Sequence, residues 1–155
     1  MSKPSLTNDP SLALRGTQVI VLALAGGVVL FATVAAVVGP MSQPMESVAF
    51  GLDPIALLAV FLSFTAVAAS FFVPGRVVEA AREGTPDARA NAFRSSRIIG
   101  AAMLEGPALL WSVALLLSGH RLYFIPVVIL VALIGLQVPT REAFESATGL
   151  RIRGD

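Results

Sequence analysis

The chain of 155 residues contains no cysteine and only one histidine, His120. The absence of cysteine excludes disulfides, thiolate chemistry and cysteine-ligated zinc or iron–sulfur sites, and a single histidine cannot build a histidine metal site. Charged residues make up only 14% of the chain, and the net charge is +1. Such a balance offers no general attraction to nucleic acid. We therefore expect no metal, no cofactor and no nucleic-acid partner.

Catalytic motifs are missing as well. The sequence contains no carboxylate pair suited to acid–base chemistry, no Ser-His-Asp set, no P-loop and no HExxH motif. We therefore expect no catalytic residues and predict that the protein is not an enzyme.

Apolar residues, by contrast, are abundant: they make up 55% of the chain, and the mean hydropathy is +0.81. Ordinary soluble domains are more polar than this. Four apolar runs have about the ~20 residues that cross a hydrocarbon layer ~30 Å thick. The predicted fold class is therefore all-α, a polytopic membrane protein with four transmembrane helices in two hairpins. The predicted spans are residues 17–38, 54–73, 97–118 and 122–138.

Proline and glycine mark the ends of the first two spans. Residues 1–16 are polar and contain two prolines, which is typical of a poorly ordered tail. Gly39-Pro40 ends the first span. A cleaved signal peptide is the competing interpretation of that span, but the apolar run is longer than a typical signal-peptide core. Pro54 suits the first helical turn of the second span, and Pro74-Gly75 is predicted to end it.

Capping residues mark the third span. Thr85-Pro86-Asp87 predicts an N-cap followed by proline at the first helical position, and the helix that starts there is expected to run on into the third span. Ser118-Gly119 closes this span, and only His120 and Arg121 separate it from the fourth. The link between the last two spans is therefore predicted to be a tight turn.

The C-terminal segment, residues 139–155, is predicted to lie on the membrane surface. Pro139 ends the fourth span, because proline removes a backbone donor and clashes with the preceding turn. Thr140 is predicted to cap a short helix over residues 141–148, which Gly149 closes.

The basic residues are unevenly distributed between the two predicted sides of the membrane. Ten of the eleven fall on one side and only Arg121 falls on the other. The positive-inside rule therefore predicts that both termini and the loop of residues 75–96 are cytoplasmic. The ten are Lys3, Arg15, Arg76, Arg82, Arg89, Arg94, Arg97, Arg141, Arg151 and Arg153.

The two halves of the chain show an internal similarity. The first span can be aligned with the third so that Gly27 pairs with Gly106 and Gly26 pairs with Glu105. The next span in each half ends in the same pattern, Val73-Pro74-Gly75-Arg76 and Val138-Pro139-Thr140-Arg141. A duplicated hairpin explains this similarity, and so does the general likeness of apolar helices that leave a membrane.

One carboxylate, Glu105, lies inside the third apolar run. It follows Arg97 by eight residues, which at ~1.5 Å rise per residue is ~12 Å, close to the middle of the bilayer. An ionised group at that depth costs a few kcal/mol, so Glu105 should be protonated or find a partner. Apart from Arg97 at the start of the third span, no Lys or Arg lies within the spans to neutralise it. The available polar partners are Thr33, Ser63, Thr65, Ser70, Ser112 and Gln137.

Small residues surround Glu105 on its helix, and among them Ser112 lies two turns further on. Because small faces allow close helix approach, we expect Glu105 to point into the bundle or a subunit contact, with the small residues around Gly26 and Gly27 as a matching surface. Pro107 should free one carbonyl, and Gly106 should expose backbone. Glu105 is therefore the candidate proton- or ion-binding residue. The residues expected to form the rest of the site are Gly106, Pro107, Ser112, Gly26 and Gly27.

The stretch Ala102-Met103-Leu104-Glu105-Gly106-Pro107-Ala108-Leu109 is similar to the carboxylate-bearing helix of the rotor-ring proteolipid, subunit c, of rotary ATP synthases. In that family the acid binds H⁺ or Na⁺ and is carried past a stator. The resemblance implies that Glu105 is an ion-binding acid. It is confined to this stretch, because the Gly-rich helix and the short polar turn that precede the acid in that family have no counterpart here.

A second comparison is with small multidrug transporters, four-span dimers that work around one membrane glutamate. Their acid lies in the first span among aromatic residues. Here the acid lies in the third span, in which Trp111 is the only aromatic residue.

Two functions therefore remain. The first is a non-catalytic structural or accessory component of the membrane, which forms homo-oligomers or joins a larger membrane complex. The second is proton or cation translocation through Glu105. Beyond these protein contacts, the lipid bilayer is the expected partner. Because organelle and lipidation signals are absent, the expected location is a bacterial inner membrane.

Overall fold

The computed structural model describes residues 10–39, 54–149 and 151. The N-terminal residues 1–9, most of the loop predicted between the first two spans and the last few residues therefore lie outside the described part. Within it the chain is all-α and contains no β-strand. The helices are α1, Pro10–Val38; α2, Pro54–Ala80; α3, Pro86–Ser118; α4, Phe124–Leu136; and α5, Arg141–Thr148, with one 3₁₀ turn, Arg121–Tyr123, between α3 and α4.

Three helices are long and apolar enough to cross a membrane. They are α1 from Ser11 onward, with 28 residues, α2 with 27 and α3 with 33. The segment Arg121–Leu136 is shorter, and its axis is bent by 53° from that of α5. If this bent pair forms one span, the number of candidate spans rises to four. The prediction of an all-α, membrane-type protein is thus confirmed at this level.

The predicted boundaries of α3 are confirmed. Thr85 is its N-cap, with an extended backbone and a side-chain oxygen that accepts a hydrogen bond from the backbone N–H of Ala88 at 3.3 Å. Pro86 takes the first helical position, where its missing N–H costs nothing. At the other end Gly119 adopts the left-handed conformation, with φ of 68°, and its N–H bonds the carbonyl of Leu115.

The short helix α5 is also confirmed. The Thr140 hydroxyl accepts a hydrogen bond from the backbone N–H of Ala143 at 3.2 Å, and Gly149 closes the helix with φ of 73°. Phe144 is fully buried and meets the ring of Phe93 edge-on, at a centroid distance of 5.5 Å. Leu14 of α1 completes this small cluster, which we call the tail cluster: Leu14, Phe93 and Phe144.

Two predicted helix ends are wrong. The N-terminal tail is helical from Pro10 onward rather than unordered to residue 16, because Leu14 is buried in the tail cluster and this contact orders the first turns of α1. The second helix does not stop at Pro74 but continues to Ala80, so part of the predicted loop of residues 75–96 is helical. Proline is tolerated there because an unbroken helix still satisfies most backbone groups, which is worth more in a membrane than in water.

The central helix is α3, because α1, α2, α4 and α5 all pack along it. In the most apolar 18 residues of α3, half of the residues are buried, compared with 22% in the corresponding stretch of α1 and 17% in that of α2. The large core lies along α3 and includes Val28 of α1, Ala59 of α2, Leu104 of α3 and Ile134 of α4. Consequently the environment of Glu105 is set by its position around the axis of α3.

Candidate functional site

Glu105 lies at the edge of the buried side of α3. Ala101, Ala108 and Ser112, which are four residues before, three after and seven after it, are buried, whereas Ala102 and Gly106 are exposed. Glu105 itself is partly buried. The carboxyl group is therefore neither enclosed in the bundle core nor fully outside it.

Within the described residues, no side chain forms a hydrogen bond or ion pair with the Glu105 carboxyl. The hydroxyl groups that the sequence offered as partners donate instead to carbonyls of their own helices. For example, Ser112 Oγ donates to the Ala108 carbonyl at 2.8 Å. The remaining candidate, Gln137, accepts a hydrogen bond from Arg97 at 3.5 Å. Within one chain the Glu105 carboxyl therefore has no hydrogen-bonding partner among the described residues.

Pro107 lies on another side of α3, and the exposed Gly106 lies between that side and Glu105. Both line a groove of about 570 Å³ between α2 and α3, together with Met103, whose carbonyl lacks its helical donor because of Pro107. Glu105 does not line this groove. The carboxyl and the freed carbonyl, which the sequence suggested as parts of one site, are thus on separate sides of the helix.

Gly26 and Gly27 do not face Glu105. Both are exposed on α1, and a Cβ added at either position would meet no atom of another element within 4 Å. Within one chain this surface does not pack against the Glu105 side of α3, so its contact with Glu105 stays a prediction about a second subunit. The sequence of α1 does not predict which of its sides is buried, because apolar residues occur on all sides and show no strong helical periodicity.

Several polar contacts between helices were missed by the sequence interpretation. Trp111 Nε1 donates to Ser63 Oγ at 3.0 Å and joins α3 to α2. Gln18 Nε2 donates to the carbonyl of Pro139 at 2.9 Å, across 121 residues of chain. Both donors are of residue types that are rare here, since Trp111 is the only tryptophan and Gln18 is one of three glutamines, and this rarity was the available signal.

A third polar contact lies where α3 meets the end of α4. The Arg97 guanidinium lies over the Phe93 ring at 5.1 Å and donates to Gln137 Oε1. A Cβ at Gly100 would lie 3.1 Å from the Gln137 amide, so the glycine makes room for this side chain. Because only glycine leaves that space, Gly100 belongs to the same polar contact.

In the part of the chain that the structure describes, no group of three or more His, Asp or Glu side chains is placed to hold a metal ion. Comparison with known proteins finds no matching protein-family model, curated protein or solved structure.

Proposed function

We propose that the protein is a four-span integral membrane protein with both termini in the cytoplasm, and that it is a non-catalytic component which associates with another membrane helix. The partner is a second copy of this chain or a subunit of a larger membrane complex. The contact surface is the Glu105 face, defined as the exposed Ala102 and Gly106 and the partly buried Glu105, Leu109 and Val113, which lie along one side of α3.

The observation that carries this proposal is the Glu105 carboxyl without a partner at mid-span. An acid facing lipid costs a few kcal/mol, and a donor or acceptor from a neighbouring helix removes part of this cost. The exposed residues beside it, Ala102 and Gly106, are small, so a second helix can approach closely. Small size and an unpaired polar group on one face together favour a helix–helix contact over simple exposure to lipid.

The topology follows from charge and length. The segment Arg121–Leu136 has only 16 residues, which at ~1.5 Å rise corresponds to ~24 Å, so we treat it as a short fourth span. Its outer surface supports this assignment, because Ile125, Val128 and Ile129 are each more than half exposed apolar side chains. Four spans place both ends of the chain on the side with ten basic residues.

Cross-linking tests the association directly, since the chain has no cysteine and each introduced thiol is unique. We expect Ala102→Cys on the Glu105 face to cross-link in native membranes, either to itself or to a heavier partner. The matched control is Ala132→Cys, because Ala132 is also exposed and lies at a similar predicted depth, but on α4 rather than α3. Equal cross-linking of the two variants would indicate random collision and would contradict the proposal.

Substitution of the acid then tests its role. We expect Glu105→Gln to keep the Ala102→Cys cross-link, because an amide still forms hydrogen bonds across helices, and Glu105→Leu to weaken it. Polar contacts of this kind contribute on the order of 1 kcal/mol, or about a fivefold change in association. A cross-link that is stronger in the leucine variant would show that apolar packing alone drives the contact.

The second candidate function is proton or cation translocation through Glu105. The observation that favours it is the same partly exposed and unpaired carboxyl, since an ion-binding acid must be reachable. Dicyclohexylcarbodiimide, which modifies protonated carboxyls in membranes, separates the two functions. Labelling of Glu105 that depends on pH and is blocked by Na⁺ would support ion binding, whereas an acid that stays unreactive at every pH would support the structural role.

A further inference from the structure

A second polar feature of the protein lies away from the Glu105 face. A groove of about 550 Å³ opens between the C-terminal part of α2, the N-terminal half of α3 and the joint between α4 and α5. Arg97 and Gln137 line it on one side, and Phe71, Pro74 and Leu136 contribute apolar surface. We call it the Arg97 groove.

No acidic residue in the described part of the chain balances the charge in this groove. No Asp or Glu is among the residues that line it, and within the described residues Arg97 forms no ion pair. Its hydrogen bond to Gln137 Oε1, at 3.5 Å, engages one of the five N–H groups of a guanidinium. The remaining N–H groups and the positive charge are therefore available to a ligand.

Of the three serines that line the groove, Ser146 lies on α5, and the other two already donate within their own helices. Ser70 Oγ donates to the Val67 carbonyl at 2.8 Å, and Ser96 Oγ donates to the Phe93 carbonyl at 2.7 Å. The Gln137 amide has its oxygen turned to Arg97, so its NH₂ group is a second donor beside the guanidinium. A negatively charged acceptor is the chemistry that fits two neighbouring donors of this kind.

The groove lies at the level where apolar segments end. Arg97 precedes the apolar run of α3, Pro74 follows that of α2, and Gln137 follows that of α4. Just inside this boundary Phe71 and Leu136 are 65% and 74% exposed, so apolar surface continues from the groove towards the bilayer. Charge and apolar surface thus meet in the order in which a phospholipid presents its phosphate and its acyl chains.

We propose that the Arg97 groove binds an anionic phospholipid, with its phosphate at Arg97 and Gln137 and the start of an acyl chain along Phe71 and Leu136. A free phosphate ion shares the chemistry of the headgroup but makes no use of the apolar wall. The lipid is therefore the occupant that matches the whole groove, and the site is separate from the proposed helix contact at Glu105.

The test uses the full-length protein in vesicles that contain spin-labelled phosphatidylglycerol or spin-labelled phosphatidylcholine. For the native chain we expect a motionally restricted lipid population that prefers phosphatidylglycerol by about fivefold, the effect of one guanidinium near a membrane surface. No preference in the native chain would overturn the proposal, and this result does not depend on the folding of any variant.

Two variants locate the site. We expect Arg97→Gln to abolish the preference and Arg97→Lys to retain part of it, since lysine keeps the charge but lacks the planar fork. Arg15→Gln is the matched control, because Arg15 is exposed at the same end of the bundle, on α1, and its loss changes the net charge equally. An equal loss in both glutamine variants would show a general charge effect and would overturn the assignment to the groove.

A competition experiment distinguishes the two sources of phosphate. We expect inorganic phosphate to reduce the phosphatidylglycerol preference no more than chloride does at the same ionic strength. Specific displacement by phosphate would show that the groove takes a soluble anion and would overturn the lipid assignment.

Discussion

Two segments of this protein share the pattern Val-Pro-x-Arg and have different structures. At Val73-Pro74-Gly75-Arg76 the helix runs through the proline and α2 ends only at Ala80. At Val138-Pro139-Thr140-Arg141 the chain turns, because α4 ends at Leu136, α5 begins at Arg141 and their axes differ by 53°. Proline in the same sequence pattern thus lies inside a helix at Pro74 and at a turn between helices at Pro139.

The contacts around each proline explain the difference. Thr140 caps α5, the Pro139 carbonyl accepts a hydrogen bond from Gln18, and Phe144 docks α5 on Phe93. In the other segment Gly75 takes the position of Thr140 and has no side chain to cap a new helix. A proline therefore raises the cost of a helix at both positions, and only where other contacts stabilise the turn does the helix end.

The difference also shapes the Arg97 groove, which lies between the two segments. The helix that continues past Pro74 forms one wall with Val78, and the turn at Pro139 brings Ala143 and Ser146 of α5 to the other. The sequence similarity between the two halves is therefore not matched by similar local structure.

The largest effect is expected from Phe144→Ala, which removes the side chain that holds α5 in place. Loss of a fully buried phenylalanine costs about 3–5 kcal/mol, so α5 should open far more often. Hydrogen exchange of the α5 amides measures this change. Phe72→Ala is the control, since Phe72 is 75% exposed and its loss should leave α5 unchanged. Unchanged exchange in α5 of the first variant would show that the turn at Pro139 is stable without docking.

Gln18→Leu should have the next largest effect. Leucine keeps most of the volume but leaves the Pro139 carbonyl without its donor, at a cost of about 1–3 kcal/mol. We expect faster exchange in α5 and a lower thermal midpoint. In the control Thr33→Val the lost hydroxyl donates only to the Val29 carbonyl of its own helix, so the midpoint should hardly move. Similar shifts in both variants would remove the contrast between the two kinds of hydrogen bond.

Thr140→Ala should destabilise α5 by about 1 kcal/mol, because the N-cap hydrogen bond to Ala143 is lost. Thr140→Ser keeps the hydroxyl and should behave like the native chain. The measurement is again exchange of the α5 amides, and equal exchange in the alanine and serine variants would argue against capping as the reason why a helix starts at Arg141.

The smallest effect is expected from Pro74→Ala. The helix already continues through this residue, so alanine restores a backbone donor without changing the path of α2. We expect the thermal midpoint to stay the same or rise, and the phosphatidylglycerol preference to be unchanged. A fall in the midpoint would show that proline at this position stabilises the fold and that the two segments are more alike than the structure indicates.

Local signals in the sequence were sufficient for several helix ends. The caps at Thr85, Gly119, Thr140 and Gly149 act through atoms no more than four residues away, so a short stretch of sequence contains both partners. The end of α2 was predicted wrongly at Pro74, because whether a helix ends at a proline depends on contacts with distant parts of the chain.

The candidate site was predictable only in part. The predicted depth and the rarity of Glu105 follow from the sequence, but its place at the edge of the buried side of α3 does not. Its neighbours on the buried side, such as Ala101 and Ala108, and those on the exposed side, Ala102 and Gly106, are all small. The outward direction of Gly26 and Gly27, and the approach of Gln137 to Arg97 over Gly100, also required the fold. Such contacts join residues that are distant in the chain, and no local pattern encodes them.

By itself the sequence determined that this is a helical protein of membrane type, with one acid in an apolar helix and with capped helix ends. These properties follow from hydropathy summed along the chain and from hydrogen bonds within one turn. The tertiary structure alone decided which side of each helix is buried, that α3 is central and that a groove opens at Arg97. The physical reason is that helices apolar on every side have no preferred face until their neighbours are in place.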